Sequence, residues 1–341
     1  MNPKYIQLAN QLRNEIQSGH YKDGQKLPSE NELVSITHFS RQTVRQAMDI
    51  LQREGLTVRI QGSGTYVNKL KRVHNRTNNI AVVTTYIGEY IFPAILQGID
   101  HVLSKNNYTS LLAATRNRVD NERKILTELL DKPIDGLIVE GTKTALPNPN
   151  IDLYEQFDSK GIPIVFINGF YPDLQNPVYV VADDRAGGRI ACRWLLDKGH
   201  RNIASIFKSD DIQGHRRYAG YSEALRDAGI SVDDDHVLWY VTENRDSLIE
   251  NHVKDILKGC TGLICYNDEV ALQALRHLGD EAKHVEIVSF DHSTYASLAT
   301  PSFFSLSNPK ENLGRTAAQK LLHMLAGSDE KPSVLPWSLE E

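Results

Sequence analysis

Between Tyr5 and Ile16 the apolar positions Tyr5, Leu8, Ala9, Leu12 and Ile16 recur at helical spacing, which predicts an amphipathic helix opened by Pro3 and closed by Gly19. After the Asp23-Gly24 turn, Ser29 and Glu32 stand at the spacing of a capping box, so a second helix starts there and carries Leu33 and Val34. Thr37-His38-Phe39 breaks the pattern. Ser40 is a further N-cap, and a third helix over Arg41–Leu51 follows it. That helix sets Val44, Ala47, Met48 and Leu51 inward and gathers Arg41, Gln42 and Arg45 near its N-terminal end. Gly55 stops it. Leu56–Ile60 then reads as a strand, Gln61-Gly62-Ser63-Gly64 as a tight turn, and Thr65-Tyr66-Val67 as the returning strand.

Three helices and a hairpin predict an α+β winged helix-turn-helix head over residues 1–68, and the polar, basic stretch 69–79 is expected to be a tether. From Ile80 the period changes. Short apolar runs (Ile80–Val83, Tyr108–Ala113, Gly136–Val139, Ile164–Ile167, Ile203–Phe207, Gly262–Cys265, Ile287–Phe290) alternate with helical stretches (Phe92–Leu103, Asn121–Leu130, Ala186–Lys198, Arg217–Asp227). Unbroken apolar strands between helices indicate parallel sheets covered on both faces. Residues 80–341 are therefore expected to form an α/β two-lobed domain, with a ligand cleft at the carboxyl ends of its strands.

Charge changes the picture only when it is split. Residues 1–76 carry 12 Lys and Arg against 6 Asp and Glu, whereas the remainder carries 26 against 37. A basic head on an acidic body points to a polyanion partner for the head alone. Arginines at the start of a recognition helix suit bidentate contact with guanine. No apolar run reaches the ~18 residues of a membrane span. No signal-peptide core follows Met1–Tyr5, and Cys192, Cys260 and Cys265 lack paired spacing, so a cytoplasmic protein with reduced thiols is expected.

The run from Lys26-Leu27-Pro28-Ser29-Glu30 through Ser40-Arg41-Gln42-Thr43-Val44-Arg45 to Gly55-Leu56 and Gly62-Ser63-Gly64-Thr65-Tyr66-Val67 resembles the GntR family of bacterial repressors over the whole head. The resemblance implies DNA contacts from Arg41, Thr43 and Arg45 on the recognition helix. It also implies that Gln61 and Gly62 at the wing tip enter the minor groove, with Glu30 at the groove edge. Gln42 joins this set by position, and Lys4 is a candidate phosphate contact.

The body carries its own phrases. Pro133-Ile134-Asp135-Gly136-Leu137-Ile138-Val139, Asp183-Asp184-Arg185-Ala186-Gly187-Gly188, Lys198-Gly199-His200-Arg201-Asn202-Ile203-Ala204, Arg217-Tyr218-Ala219-Gly220-Tyr221 and Tyr266-Asn267-Asp268-Glu269 resemble the effector domain of the Lac/Gal repressor family. That family shares its fold with periplasmic sugar-binding proteins. A GntR-type head on such a body resembles the arabinose-utilisation repressors of Gram-positive bacteria. The resemblance implies L-arabinose as effector, no cofactor, and a homodimer that holds paired half-sites of operator DNA until the sugar releases it. A different pentose or hexose, a sugar phosphate, or a sugar-binding module without operator binding stay open as alternatives. Val334-Leu335-Pro336-Trp337-Ser338-Leu339 is followed by only two residues, so the final strand is expected to be short or missing.

A sugar needs polar forks for its hydroxyls and an aromatic face for its C–H side. Strand-end loops put forward Tyr86, Tyr90, Ile91, Phe92 and Arg116-Asn117. Positions matched to the family add Asp183, Arg217, Asn267 and Asp291, and Asn308 follows the Phe304–Ser307 crossover. Trp239 and Tyr240 complete the set. Asp183 has a second reading as a helix cap, Arg217 as an ion-pair partner, Asp291 as a turn cap, and Tyr90 and Phe92 as core. His200, His215 and His292 read as structural. No HExxH, GxSxG, Walker or zinc spacing appears, Gly187-Gly188 falls inside a helix, and no lysine motif supports a pyridoxal-phosphate body, so no enzyme is expected.

Overall fold

A computed structural model describes residues 3–17, 19–22, 24–53, 56–60, 62–68 and 77–339 of the 341-residue chain. The chain divides into two compact units, Met1–Arg76 and Thr77–Glu341. In the first, α1 (Lys4–Gln17), α2 (Glu30–Thr37) and α3 (Arg41–Arg53) precede the antiparallel hairpin of β1 (Thr57–Ile60) and β2 (Gly64–Val67). The predicted capping box is present. Glu32 N donates to Ser29 Oγ at 3.3 Å, and Ser29 N donates to Glu32 Oε2 at 2.7 Å. Leu8, Ala9 and Leu12 of α1 close one core with Leu33 of α2, Val44, Ala47, Met48 and Leu51 of α3, and Val67 of the hairpin. Gly55, Gln61 and the tether residues 69–76 lie outside the described residues.

The second unit starts earlier than the period change suggests. Asp135 accepts from Thr77 N, Thr77 Oγ1 and Asn78 N, each at 2.9 Å, so the chain is fastened before its first strand begins. The elements of its first half are β3 (Asn79–Thr84), α4 (Phe92–Lys105), β4 (Thr109–Ala114), α5 (Val119–Leu130), β5 (Gly136–Val139), α6 (Ile151–Ser159), β6 (Ile164–Ile167) and β7 (Val178–Ala182). The second half contains α7 (Asp184–Asp197), β8 (Ile203–Lys208), α8 (Ile212–Asp227), β9 (Val237–Tyr240), α9 (Arg245–Ile256), β10 (Gly262–Cys265), α10 (Asp268–Leu278), β11 (Glu286–Phe290), α11 (Thr294–Leu298) and β12 (Phe304–Leu306). The chain ends with α12 (Lys310–Leu325) and β13 (Ser333–Leu335).

Two parallel sheets result, ordered β13-β7-β6-β5-β3-β4 and β12-β11-β10-β8-β9. The lobes are not simply successive. After β12 the chain returns to the first lobe, where α12 packs on α4 and β13 pairs with β7, and Trp337 then enters the core of the second lobe. The final strand is present but short. Phe304–Leu306 is a strand beside β11 rather than a plain crossover. The helix expected from Arg217 begins at Ile212, because Gly214 leaves its first turn without a clear apolar face.

Gly187-Gly188 serves packing. A Cβ on Gly188 would overlap the Arg217 carbonyl, and one on Gly220 would overlap that of Arg185, so α7 and α8 touch backbone to backbone. Overpacking a tight contact costs about 1–3 kcal/mol. Gly188→Ala is therefore expected to lower the melting transition of the body measured by calorimetry, and an unchanged midpoint would contradict the close approach.

Candidate functional site

On the head, α3 starts from Ser40, whose Oγ accepts from Thr43 N at 3.2 Å and lies 2.8 Å from Thr43 Oγ1. Arg41, Gln42 and Arg45 are exposed on this end of the helix, while Thr43 is half-buried with its hydroxyl engaged in the cap. Glu30 Oε1 lies 2.7 Å from Arg59 Nη2 on the hairpin and 3.7 Å from Arg45 Nε. One carboxylate thus lies between an arginine of the recognition helix and one of the wing. Gly62 has φ +77 with open space around its Cα, the left-handed backbone that a tight wing tip requires. Lys4 is exposed, with Nζ 5.5 Å from the Phe39 ring centroid. Gln61 lies outside the described residues.

In the body, the carboxyl ends of both sheets open onto a cavity of about 230 Å³. The first lobe lines it with Thr85, Tyr86, Tyr90 and Phe92 after β3, Glu140 after β5 and Asn168 after β6. The second contributes Lys208, Asp211, Arg217, Tyr240, Arg245, Tyr266, Asn267, Glu269 and Asp291. A side chamber of about 40 Å³ adjoins it and shares Glu140, Asn168 and Lys208. Aromatic faces are held in pairs, with ring centroids of Tyr86 and Phe92 5.9 Å apart and Tyr90 stacked on Tyr295 at 5.7 Å.

Every cation at the cavity has a carboxylate partner. Arg217 is 2% exposed; its Nε donates to Asp184 at 2.9 Å and its Nη1 to the Tyr266 carbonyl. The guanidinium also lies 4.3 Å from the Phe290 ring centroid and 4.8 Å from that of Tyr266. Burial pulls the Arg217 pKa down, but Asp184 and its neighbours outweigh this and raise it. Lys208 is raised in the same way, with Asp211 at 2.5 Å overcoming the burial. Arg245 pairs with Glu269 at 2.7 Å and Asp246 at 2.9 Å. Asp291 accepts from Lys310 Nζ at 2.8 Å and from the Tyr90 hydroxyl at 2.6 Å. Its pKa is lowered because Lys310 and Arg217 outweigh burial. Tyr90, at φ +57, also accepts from Asp268 N at 3.2 Å and so bridges the two lobes.

Of the sequence candidates, Tyr86, Tyr90, Phe92, Arg217, Asn267 and Asp291 converge on the cavity, joined by Ile91 and Tyr240. Arg116, Asp183 and Asn308 do not line it. Arg116 is exposed and its N–H donates to the Thr85 carbonyl at 2.8 Å, so it shapes the loop through its backbone. Asp183 accepts from Ala186 N at 3.0 Å and caps α7. Asn308 is buried in the connection between β12 and α12. Trp239 packs among Phe207, Tyr218 and His215. Glu140, Asn168, Lys208, Asp211, Arg245 and Glu269 were not among the candidates. Glu140, Asn168 and Lys208 sit at strand ends, so a strict strand-end rule finds them; Glu269 stands in the Tyr266–Glu269 family phrase, from which only Asn267 was taken, and Arg245 lies on a helix without a local signal. Among the described residues no cluster of His, Cys, Asp and Glu could hold a metal, and no helix is long and apolar enough to cross a membrane.

A winged helix-turn-helix and a two-lobed α/β body with a polar, aromatic-lined cavity define a ligand-responsive, DNA-binding transcription regulator. Residues 4–67 match the gntR family of bacterial regulatory proteins, and residues 192–339 match the periplasmic binding protein-like domain. The chain is 36% identical over 335 residues to an arabinose metabolism transcriptional repressor of Halalkalibacterium halodurans, covering 94% of this chain and 89% of the relative. It is 37% identical over 333 residues to one of Geobacillus stearothermophilus, covering 95% and 91%. Transcription regulator CcpA of Lactococcus lactis superposes with TM-score 0.69 at 26% identity, over 78% of this chain and 98% of that one. The chain belongs to the family of arabinose metabolism transcriptional repressors, and it is a DNA-binding repressor with a sugar-binding domain.

Glu140 accepts from Thr85 N at 2.8 Å, Thr85 Oγ1 at 2.5 Å and Asn168 Nδ2 at 2.7 Å, yet burial still lifts its pKa above the ordinary 4.5. The folded protein holds this proton more tightly than the unfolded chain. Its stabilising contribution is therefore full below the ordinary value and is lost as pH rises through the raised folded value. Glu140→Gln is expected to gain melting temperature relative to the wild type as pH is raised from about 4 to about 8. A constant difference across that range would contradict a raised Glu140.

Proposed function

We propose that this protein represses genes of L-arabinose use by holding paired operator half-sites as a homodimer, and that the sugar, bound in the cavity between the lobes, releases it. The observation that carries this reading is the balanced charge of the cavity. Lys208, Arg217 and Arg245 are each committed to a carboxylate, and Glu140 and Asp291 add further acids. A phosphate would meet no spare cation and several acids, so an uncharged sugar fits better than a sugar phosphate. Carboxylates and amides supply the forks for hydroxyls, while Tyr86, Tyr90 and Phe92 supply faces for C–H groups. The small volume suits a monosaccharide. The names of the two repressor relatives support arabinose.

Arg41, Gln42, Thr43 and Arg45 would meet bases or phosphates in the major groove, Gln61 and Gly62 the minor groove, and Lys4 a phosphate. Glu30 would orient Arg45 and Arg59 for that contact. Ligand shifts the equilibrium only by its differential affinity for the two lobe arrangements. In this reading the protein is a cytoplasmic regulator without catalytic activity or cofactor.

The test is fluorescence anisotropy with a duplex selected by the protein from a random pool. L-arabinose is expected to release the DNA, while xylose, ribose, galactose and glucose leave it bound. Release by another sugar alone would overturn arabinose as the effector, and silence across the panel would overturn a free sugar. Arg45→Ala is expected to weaken binding by roughly 1–3 kcal/mol and to relax base preference. Unchanged affinity and preference would remove Arg45 from the interface.

A further inference from the structure

Beside the cavity the lobes are joined by a second set of contacts in which neither Lys143, Asp210 nor Glu243 is a lining residue. Lys143, on the loop between β5 and α6, reaches from the first lobe into the second. Its Nζ lies 2.5 Å from Glu243 Oε1 and 3.8 Å from the fully buried Asp210. Three neutral hydrogen bonds run alongside. Asn117 Nδ2 donates to Thr242 Oγ1 at 2.6 Å, Ala145 N to the Asp210 carbonyl at 3.2 Å, and Ile212 N to Thr144 Oγ1 at 3.1 Å.

The loop is built to present this lysine. Lys143 has φ +47, an uncommon backbone for a residue with a side chain, and its N–H is held by Asn117 Oδ1 at 3.1 Å. Behind it, the buried Glu122 accepts from Tyr154, Tyr171, Asn148 and Asn150, and Tyr171 accepts from Thr142 N at 2.6 Å. On the far side, the Asp210 carboxylate accepts from Thr242 N and Oγ1 through Oδ2, the oxygen that Lys143 also approaches, while its Oδ1 lies 3.7 Å from Lys208 Nζ of its own lobe. A fully buried carboxylate gains from a second cation that approaches only when the lobes meet.

We propose that this loop is a sugar-independent clasp, and that Lys143 is a positioning residue that sets the effector threshold by biasing the lobes toward closure. The inference rests on the reading of the cavity as a sugar site; Asn117, Thr144 and Thr242 border the cavity or its side chamber, but Lys143, Asp210 and Glu243 line neither. Apparent affinity scales with the fraction of molecules whose lobes are competent to bind.

The experiment uses the full chain and its Lys143→Met, Glu243→Gln and doubly substituted forms. L-arabinose binding is measured by calorimetry and dissociation by stopped flow. Each single variant is expected to weaken binding roughly two- to tenfold, with faster dissociation. The double variant is expected to be no weaker than the worse single one, and added salt should weaken the wild type more than Lys143→Met. Unchanged affinity and dissociation in both single variants would overturn the clasp, as would additive losses. Small-angle scattering of the sugar-free proteins separates the two readings. If the wild type binds no sugar, the functional reading fails. An expanded Lys143→Met body would then still support the clasp, and an unchanged radius of gyration would refute it.

Discussion

A guanidinium that is 2% exposed cannot stand in a protein interior without a fixed counter-charge, and much of the body is arranged around meeting that demand for Arg217. Asp184, in the first turn of α7, takes its Nε, and the Tyr266 carbonyl, leaving β10, takes Nη1. Phe290 from β11 and Trp337 from the last crossing cover its faces. Arg217 reaches these partners because α8 lies directly on α7, which Gly188 and Gly220 allow. One side chain thus ties two helices, two strand ends and the returning C-terminal segment together at the floor of the cavity. Removing either partner of a buried pair typically costs about 3–5 kcal/mol, so this corner is fixed before any ligand arrives.

The same logic explains why the cavity is polar yet balanced. Parallel strands deliver their carboxyl ends to one edge, where no further strand residue follows to satisfy the next side chain. Glu140, Asn168, Lys208 and Asp291 occupy such ends, and each is already hydrogen-bonded to a neighbour. A site whose groups are paired in advance pays little reorganisation on binding and discriminates by shape and by the pattern of donors and acceptors. Excess charge on a ligand finds nothing to answer it.

The sequence disclosed these features unevenly, for physical reasons. The head was legible almost residue by residue, because caps, turn glycines and a single apolar face per helix are local signals; Ser29, Glu32, Ser40 and the buried face of α3 stand where their spacing placed them. In the body the buried strands β5, β6 and β10 were equally plain, since a parallel strand covered on both faces is an unbroken apolar run. The helices α6, α9, α10, α11 and α12 and the strand β7 passed unmarked. The return of α12 and β13 to the first lobe was also hidden, because pairing between residues 180 and 333 leaves no local trace. The cavity was legible only in part. Tyr86, Tyr90, Phe92, Arg217, Asn267 and Asp291 were found from strand-end loops and family phrases, whereas Glu140, Asn168 and Lys208, each directly after an apolar strand run, were passed over. Asp183 and Asn308 are turned to a helix cap and to the interlobe connection.

That connection shows where the body can change shape. The lobes are linked covalently by the segments after β7, after β12 and after β13, and each is only a few residues long. Hydrogen bonds within either sheet are untouched by a rotation about these segments, so the cost of moving falls on the groups along the crossings and across the cleft. There the satisfaction of polar groups is incomplete. Both side-chain polar atoms of Asn308 and Trp337 Nε1 are buried without a hydrogen-bond partner among the described residues, whereas Asp135 and Glu122 inside the first lobe are saturated with donors. An unmet buried polar group costs about 1–3 kcal/mol. The lobes are therefore rigid where their hydrogen bonds close and are held less tightly at the crossings, which is the condition for a rotation that small differences in ligand affinity can tip. Because Asp135 grips Thr77 and Asn78, the point at which the chain enters the first lobe moves with that lobe as one body.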